Sequence, residues 1–334
     1  MYKNVLVTGG AGYCGSLLTP QLLNAGYNVT VYDIMYFGDD HLPKDNPDLK
    51  IIDGDIRDTS KLSKALEGID AVISLACISN DASFELDENL STSINLDAFE
   101  PMVIAAKEAG VKRFVYASSS SVYGVSEQPD VTEDHPLVPL TLYNKYKGMC
   151  EPLLKKHTDE NFVGVIFRPA TVCGYAPRQR LDLSVNILTN HAITNKKIKV
   201  FGGSQLRPNL HVQDYCDLCQ LLLEAPADKV ANETFNCGYQ NMSIMDIAKM
   251  VKNVVEEEFP DHKGLEIVTE PTDDIRSYHI NSDKIKRVLG FEPKHSIEEA
   301  VRDLCKAFKE GKLPDSMDDD KYYNVRRLKR LEAA

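Results

Sequence analysis

The tightest constraint on this chain is Thr8-Gly9-Gly10-Ala11-Gly12-Tyr13-Cys14-Gly15, set directly after the apolar run Val5-Leu6-Val7. Glycines at 9, 12 and 15 predict a strand that turns sharply and opens into a helix. The first permits the turn, the second lets phosphate oxygens approach the backbone, and the third lets helix and strand pack closely. The helix then presents its partial positive end to a pyrophosphate. A second apolar run follows and ends in Asp33. A carboxylate there suits the hydroxyls of an adenosine ribose and repels a 2′-phosphate, so the pattern favours NAD over NADP. Tyr13 and Cys14, inside the turn, are expected against the same cofactor. Asp55 and Ile56, after a third β-rich run, suit the amino group and ring face of an adenine. Read locally, Asp33 and Asp55 are also ordinary turn residues.

Short β-rich runs alternate with helical periodicity through the first half, the pattern of a parallel sheet covered on both faces. Strands are predicted at Asn4–Thr8, Asn28–Tyr32, Leu49–Asp53, Ala71–Leu75, Arg113–Ala117 and Val163–Arg168. Helices are predicted at Gly12–Ala25, Ser60–Leu66, Ser91–Ala109 and Thr141–Lys156. The second half is less regular. It predicts helices at Asp182–Asn195, His211–Glu224, Ile244–Glu258, Ser282–Leu289 and Ile297–Glu310, and strands at Ile198–Phe201 and Glu233–Asn236. The last twenty or so residues carry an acidic run, Asp318–Asp320, and a basic run, Arg326–Arg330, and read as a solvated tail. The expected fold class is α/β, a doubly wound parallel sheet with a smaller α/β C-terminal substrate domain.

A second motif is Tyr143-Asn144-Lys145-Tyr146-Lys147. Tyr143 and Lys147 fall on one helix face, with Cβ atoms about 5–6 Å apart. Tyr146 points elsewhere and reads as packing. A tyrosine of pKa near 10 needs nearby positive charge to act as a base at neutral pH, and a lysine and a nicotinamide ring could supply it. Upstream lies Ser118-Ser119-Ser120-Ser121-Val122-Tyr123-Gly124, at the end of the fifth predicted strand. A serine hydroxyl there can bond a reacting oxygen. Together these elements predict proton transfer from an alcohol coupled to hydride removal.

Net charge bounds the partners. At −12 the chain lacks the basic face that a nucleic acid or an anionic membrane demands. No apolar run reaches the roughly 18 residues of a membrane helix. Met1-Tyr2-Lys3-Asn4 leads straight into a strand and does not read as a signal peptide. The eight scattered cysteines fit reduced thiols, hence a cytoplasmic location. Cys216-Asp217-Leu218-Cys219 has no second pair to complete a zinc site and reads as helix packing; no metal is expected.

The chain resembles the extended short-chain dehydrogenase/reductases, and within them the NAD-dependent nucleotide-sugar epimerase/dehydratase group. The resemblance spans nearly the whole chain. It rests on Thr8–Gly15, Asp33, Asp55-Ile56, Asn95, Ser118–Gly124, Tyr143–Lys147, Arg168-Pro169, Arg207–Val212 and Asp274–Tyr278. It implies a Rossmann domain over 1–175, with 208–238 returning to it, and a nucleotide-sugar domain over 176–207 and 239–330. It implies Tyr143, Lys147 and Ser119 as the catalytic residues, Lys147 also holding the nicotinamide ribose. Leu75, Ala76 and Asn95 would join the cofactor site. Ser119, Ser120, Thr171, Asn186, Arg207 and Arg276 would hold the nucleotide-diphosphate sugar, the last three at its pyrophosphate. It implies a homodimer, packed through the Ser91–Ala109 helix and the helix carrying Tyr143.

Departures from the group's pattern select the reaction. Its 4,6-dehydratases carry Thr-Asp-Glu or Thr-Ser-Glu at the serine element, and those acids abstract the C5 proton and expel the C6 hydroxide. Here the positions are Ser120 and Ser121, so dehydration is not expected. Ser74-Leu75-Ala76-Cys77 replaces the usual His-Leu-Ala-Ala, and Thr171 stands where an Asn is common. The run Cys173–Leu183 resembles a branch acting on less common sugars, heptoses included; its Arg178 and Arg180 fit either the diphosphate or the solvated surface. The leading expectation is an NAD-dependent nucleotide-sugar C4 epimerase. A net C4 dehydrogenase is the alternative, and a non-catalytic NAD-binding sensor the remote one.

Overall fold

The computed structural model describes residues 2–126, 128, 130–272 and 277–332. Its first half builds β1 (Asn4–Thr8), α1 (Gly15–Asn24), β2 (Asn28–Asp33), β3 (Leu49–Asp53), α2 (Thr59–Ala65) and β4 (Ala71–Ser74). Then come α3 (Asp81–Phe84), α4 (Glu88–Thr92), α5 (Phe99–Glu108), β5 (Arg113–Ala117), α6 (Leu142–His157), β6 (Val163–Pro169) and β7 (Thr171–Cys173). Further on lie α7 (Ser184–Asn195), β8 (Lys197–Phe201), β9 (Leu206–His211), α8 (Val212–Glu224), α9 (Ala227–Val230), β10 (Thr234–Cys237) and β11 (Gln240–Ser243). The described chain closes with α10 (Ile244–Glu258), β12 (Glu266–Glu270), α11 (Asp283–Leu289), α12 (Ile297–Lys309) and α13 (Asn324–Glu332).

Seven strands pair in parallel in the order β10-β6-β5-β4-β1-β2-β3. Val5, Leu6 and Val7 are wholly buried because helices cover both faces, which is why β1 reads as a continuous apolar run rather than an alternating one. One face packs against α1 and α8, the other against α2, α5 and α6. From β1 the order runs to β2 and β3 on one side and to β4, β5 and β6 on the other. The crevice at the carboxyl ends of β1 and β4 is therefore the switch point where this Rossmann-type fold binds ligands.

Two smaller sheets, β11-β9-β7 and β12-β8, belong to the second half. Around them α7, α10 and α12 enclose a separate apolar cluster. Strands β7, β9 and β11 are short and polar and were not expected from composition; they exist through pairing with one another. Cys216 and Cys219 lie in the main core, as packing residues.

Two expectations change. The helix expected over Ser91–Ala109 is broken by a π-turn at Ser93–Asp97. The widened turn lets the Asn95 side chain reach across and bond both backbone groups of Ile78, at 2.8 and 2.9 Å. The C-terminal tail is packed, not solvated. Tyr322, Tyr323 and Leu328 are buried, and the two charged runs neutralise each other: Asp320 receives Arg327 at 3.3 Å and Arg330 at 3.0 Å.

Candidate active site

The switch-point crevice is a cavity of about 360 Å³. The glycine turn forms its floor. Gly9 sits at φ +73°, and a Cβ there would come within 2.7 Å of the Ala76 backbone nitrogen. A Cβ on Gly15 would meet the Gly9 carbonyl oxygen at 2.5 Å. Bare backbone is thus required on both sides of the turn, leaving a cradle at the start of α1, whose N-cap residue Cys14 makes no side-chain capping bond. This matches a diphosphate approaching the helix N-terminus.

At one end of the cavity stand Asp33, Asp55 and Ile56. Asp33 accepts the backbone N–H groups of Ala11 and Met35 at 3.0 and 2.9 Å. Burial nonetheless raises its carboxyl above the usual range, against the pull of those bonds and of Arg178. Burial also pushes Asp55 upward, but the fork of Arg57 outweighs it and the net shift is down.

At the other end stand Ser119, Ser120, Tyr143, Lys147 and Thr171, with Leu75 and Ala76 along the wall. The helix α6 starts at the Thr141 cap and presents Tyr143 and Lys147 on the cavity side. Lys147 Nζ donates to the Ala117 carbonyl at 2.8 Å and lies over the Tyr116 ring. Tyr143 is half-buried, and loss of solvent around it drives its phenol well above its ordinary value; Cys77 and Asp81 push the same way and Arg180 opposes them. Tyr146 packs edge-on to Phe84, away from this face.

Ser119 is oriented by its neighbours. Ser121 Oγ donates to Asn144 Oδ1 at 2.5 Å, so its own oxygen accepts from Ser119 Oγ at 2.7 Å. Ser121 and Asn144 are positioning residues that fix which way the Ser119 hydroxyl points. Ser121→Ala is expected to lower kcat about 10-fold, the equivalent of one net hydrogen bond, with KM little changed. Steady-state kinetics check that split.

Several expected residues lie elsewhere. Asn186 is fully buried off the cavity: it accepts from Gly174 N–H and donates to the Tyr13 hydroxyl and the Arg180 carbonyl. It therefore braces Tyr13, which lines the cavity with Gly12 and Cys14 and donates its own hydroxyl to Gly174. Asn95 is likewise spent on Ile78, and Ile94 faces the cavity in its place. Arg207 lies on β9 over the Tyr278 ring; Tyr278, not Arg207, lines the cavity. Arg276 lies outside the described residues.

The structure also adds residues that sequence reasoning passed over or left open. Arg178 and Arg180 line the cavity and are buried, so the surface reading of this pair is wrong. Phe37, Cys77, Asp81, Asn144, Asn324 and Leu328 line it too. Nothing local in the sequence marks Asn324 or Leu328, which arrive by way of the folded-back C-terminal segment.

Among the described residues no helix is long and apolar enough to cross a membrane, and no disulfide is formed. One acidic–histidine group could hold an ion, Asp214, Asp217 and His295, but Asp214 already caps the backbone of Lys294 and His295.

Residues 5–238 match the NAD dependent epimerase/dehydratase family. A UDP-glucose 4-epimerase of Lactobacillus helveticus is 30% identical, covering 87% of this chain and 92% of its own. A UDP-glucose 4-epimerase of Thermotoga maritima, solved with UDP-glucose, superposes with a TM-score of 0.82 at 25% identity, covering 92% and 99%. MoeE5, solved with UDP-glucuronic acid and NAD, superposes at 0.79 and 27% identity, again covering 92% and 99%.

Proposed function

From the premise that this chain belongs to the NAD-dependent epimerase/dehydratase family, we propose that it is a nucleotide-sugar C4 epimerase. The carrying observation is that Tyr143, Lys147 and Ser119 converge on one cavity with the glycine turn, while Ser120 and Ser121 stand where a dehydratase needs acids. The carboxylates that do line the cavity are Asp33 and Asp55 at the far end and Asp81, which accepts from Thr141 at the cap of α6.

The glycine turn, Asp33, Asp55 and Ile56 would hold NAD, which when bound would supply the two-electron acceptor for the hydrogen on C4 and a positive charge. Tyr143 takes the proton of the C4 hydroxyl through its phenolic oxygen. Ser119 turns its hydroxyl from Ser121 to that oxygen as it becomes a carbonyl. Lys147 holds the nicotinamide ribose, and its ammonium favours the ionised tyrosine. The keto sugar then turns, the hydride taken from C4 would return to its other face, Tyr143 returns the proton to the oxygen, and C4 is rebuilt with the opposite configuration. The nucleoside diphosphate is held by 176–207 and 239–330. The exposed Ile104 on α5 and Met149 on α6 support a homodimer packed through those helices.

A proton NMR time course with NAD and a panel of nucleotide sugars tests the reading. Conversion to the C4 epimer without net reduced cofactor is the expected result. Stoichiometric reduced cofactor with a 4-keto sugar would make the protein a dehydrogenase instead, and a 4-keto-6-deoxy product would make it a dehydratase.

A further inference from the structure

Arg178 and Arg180 are an unusual pair to bury. Arg178 is 5% exposed and Arg180 7%. The Arg178 guanidinium lies flat on the Phe37 ring, 3.5 Å from its centre, and donates through Nη2 to Asn324 Oδ1 at 2.8 Å. Its Nε has no partner, and no carboxylate among the described residues forms an ion pair with it. Arg180 pairs with Asp182 through Nε at 2.9 Å and donates through Nη1 to Ser79 at 3.0 Å, but its Nη2 has no partner. Buried polar groups are almost always satisfied, so two orphaned guanidinium donors on one cavity wall call for an acceptor. The charges do not balance either: two buried cations meet one directly paired carboxylate. Burial, reinforced by Arg180, lowers Arg178 to about 9, against the pull of Asp182 and Asp33.

Their placement identifies the anion. The Arg178 backbone N–H donates to Ser16 in the first turn of α1, and its charge acts on Asp33. The charge of Arg180 acts on Tyr143 and Cys14. The pair thus spans the path from the ribose-side acid to the reacting tyrosine, with the glycine cradle between. A planar guanidinium is suited to grip phosphate oxygens bidentately.

We propose that Arg178 and Arg180 form a clamp on the diphosphate of the dinucleotide, facing the N-terminus of α1, and that the C-terminal segment latches it. This rests on the NAD dependence of the family but not on the C4 reading. The latch is Asn324. Besides receiving Arg178, it donates its N–H to Asp182 at 2.9 Å and its amide to Ser79 at 2.9 Å, so one residue joins both arginine networks. Arg327 fastens α13 to the loop after β2 by donating to the Tyr36 carbonyl at 2.6 Å. A cofactor gripped this way stays in place between two half-reactions.

The test is NAD binding to cofactor-stripped protein, measured by calorimetry and by NAD-induced thermal stabilisation, for the parent, Arg178→Met and Asn324→Ala. UDP binding serves as the control. Because Arg178 lacks an anion when the cofactor is gone, Arg178→Met without NAD is expected to melt no lower than the parent. With NAD its Kd is expected to rise about 10- to 100-fold, with a correspondingly smaller stabilisation and unchanged UDP binding. Asn324→Ala, which leaves the charge but loosens it, is expected to weaken NAD by less. Arg178→Met melting below the parent without NAD would make the arginine a structural element and overturn the clamp. Unchanged NAD affinity overturns it as well, and if UDP binding falls instead, the arginines serve the sugar nucleotide's diphosphate.

Discussion

The Tyr143→Phe protein is expected to bind NAD as the parent does and to lose about 10²- to 10⁴-fold in turnover. The substitution removes one oxygen and leaves the ring in place, so the fold and the cofactor cradle are untouched. What disappears is the hydroxyl beside Lys147 to which we assign the proton exchange with the sugar. The pH dependence carries a sign. In the cofactor-free protein burial holds the Tyr143 phenol well above its ordinary value, with Cys77 and Asp81 adding and Arg180 subtracting. The base form therefore grows as pH rises, and kcat/KM for oxidation should climb about tenfold per pH unit until the tyrosine ionises, then level off. The residual rate of the Phe variant should lack that rising limb. Initial rates of both proteins across the neutral to alkaline range decide it; a rising limb that survives in the variant would transfer the base role to another group.

Glu151→Ala is expected to cost about 3–5 kcal/mol of folding stability in chemical denaturation, because it strands a buried guanidinium. Arg168 on β6 and Glu151 on α6 meet as a fork, Nε to Oε1 at 2.9 Å and Nη2 to Oε2 at 2.6 Å, both side chains 5% exposed. That cost is a large share of the 5–15 kcal/mol typical of folded proteins. Glu151 also accepts from Ser118 at 2.7 Å, so the same carboxylate ties the serine element to α6. Lys147 lies one turn before Glu151, which places the anchor directly behind the helix face that bears Tyr143 and Lys147. The double variant Glu151→Leu, Arg168→Met removes both charges and should recover most of the loss. A double variant as unstable as Glu151→Ala would show that the fork contributes packing that apolar residues do not replace.

The central strands were legible because they are buried on both faces, so β1 and β5 carry continuous apolar runs. Gly9, Asp33, Ser119, Tyr143 and Lys147 were legible because each belongs to a short motif on a strand end or helix face, and all five reach one cavity. What failed was set by distant partners. Asn186 carries an amide suited to a phosphate, but Tyr13 and Gly174 claim it, and neither neighbours it in sequence. Asn95 looked like a cofactor residue on an unbroken helix; only the meeting with Ile78 reveals the π-turn. The C-terminal runs looked solvated because each is polar alone, whereas Asp320 meets Arg327 and Arg330 only once the chain has turned back. The paired arginines were visible as a motif, but their burial depends on Phe37 and Asn324, which come from opposite ends of the chain.

The latch at Asn324 also bears on the order of assembly. Gly9 and Leu328 border the same cavity, so it exists only after the two ends of the described chain have met. Contacts between residues so far apart form late, whereas each strand–helix–strand unit of the sheet can condense from neighbours. An intermediate holding the seven-stranded sheet but not α13 would therefore have the glycine cradle without its opposite wall. Ligand that binds only the closed form draws such intermediates forward by mass action. Dinucleotide added during refolding would then act on the last step rather than the first, raising the yield of finished protein without hastening the collapse of the core.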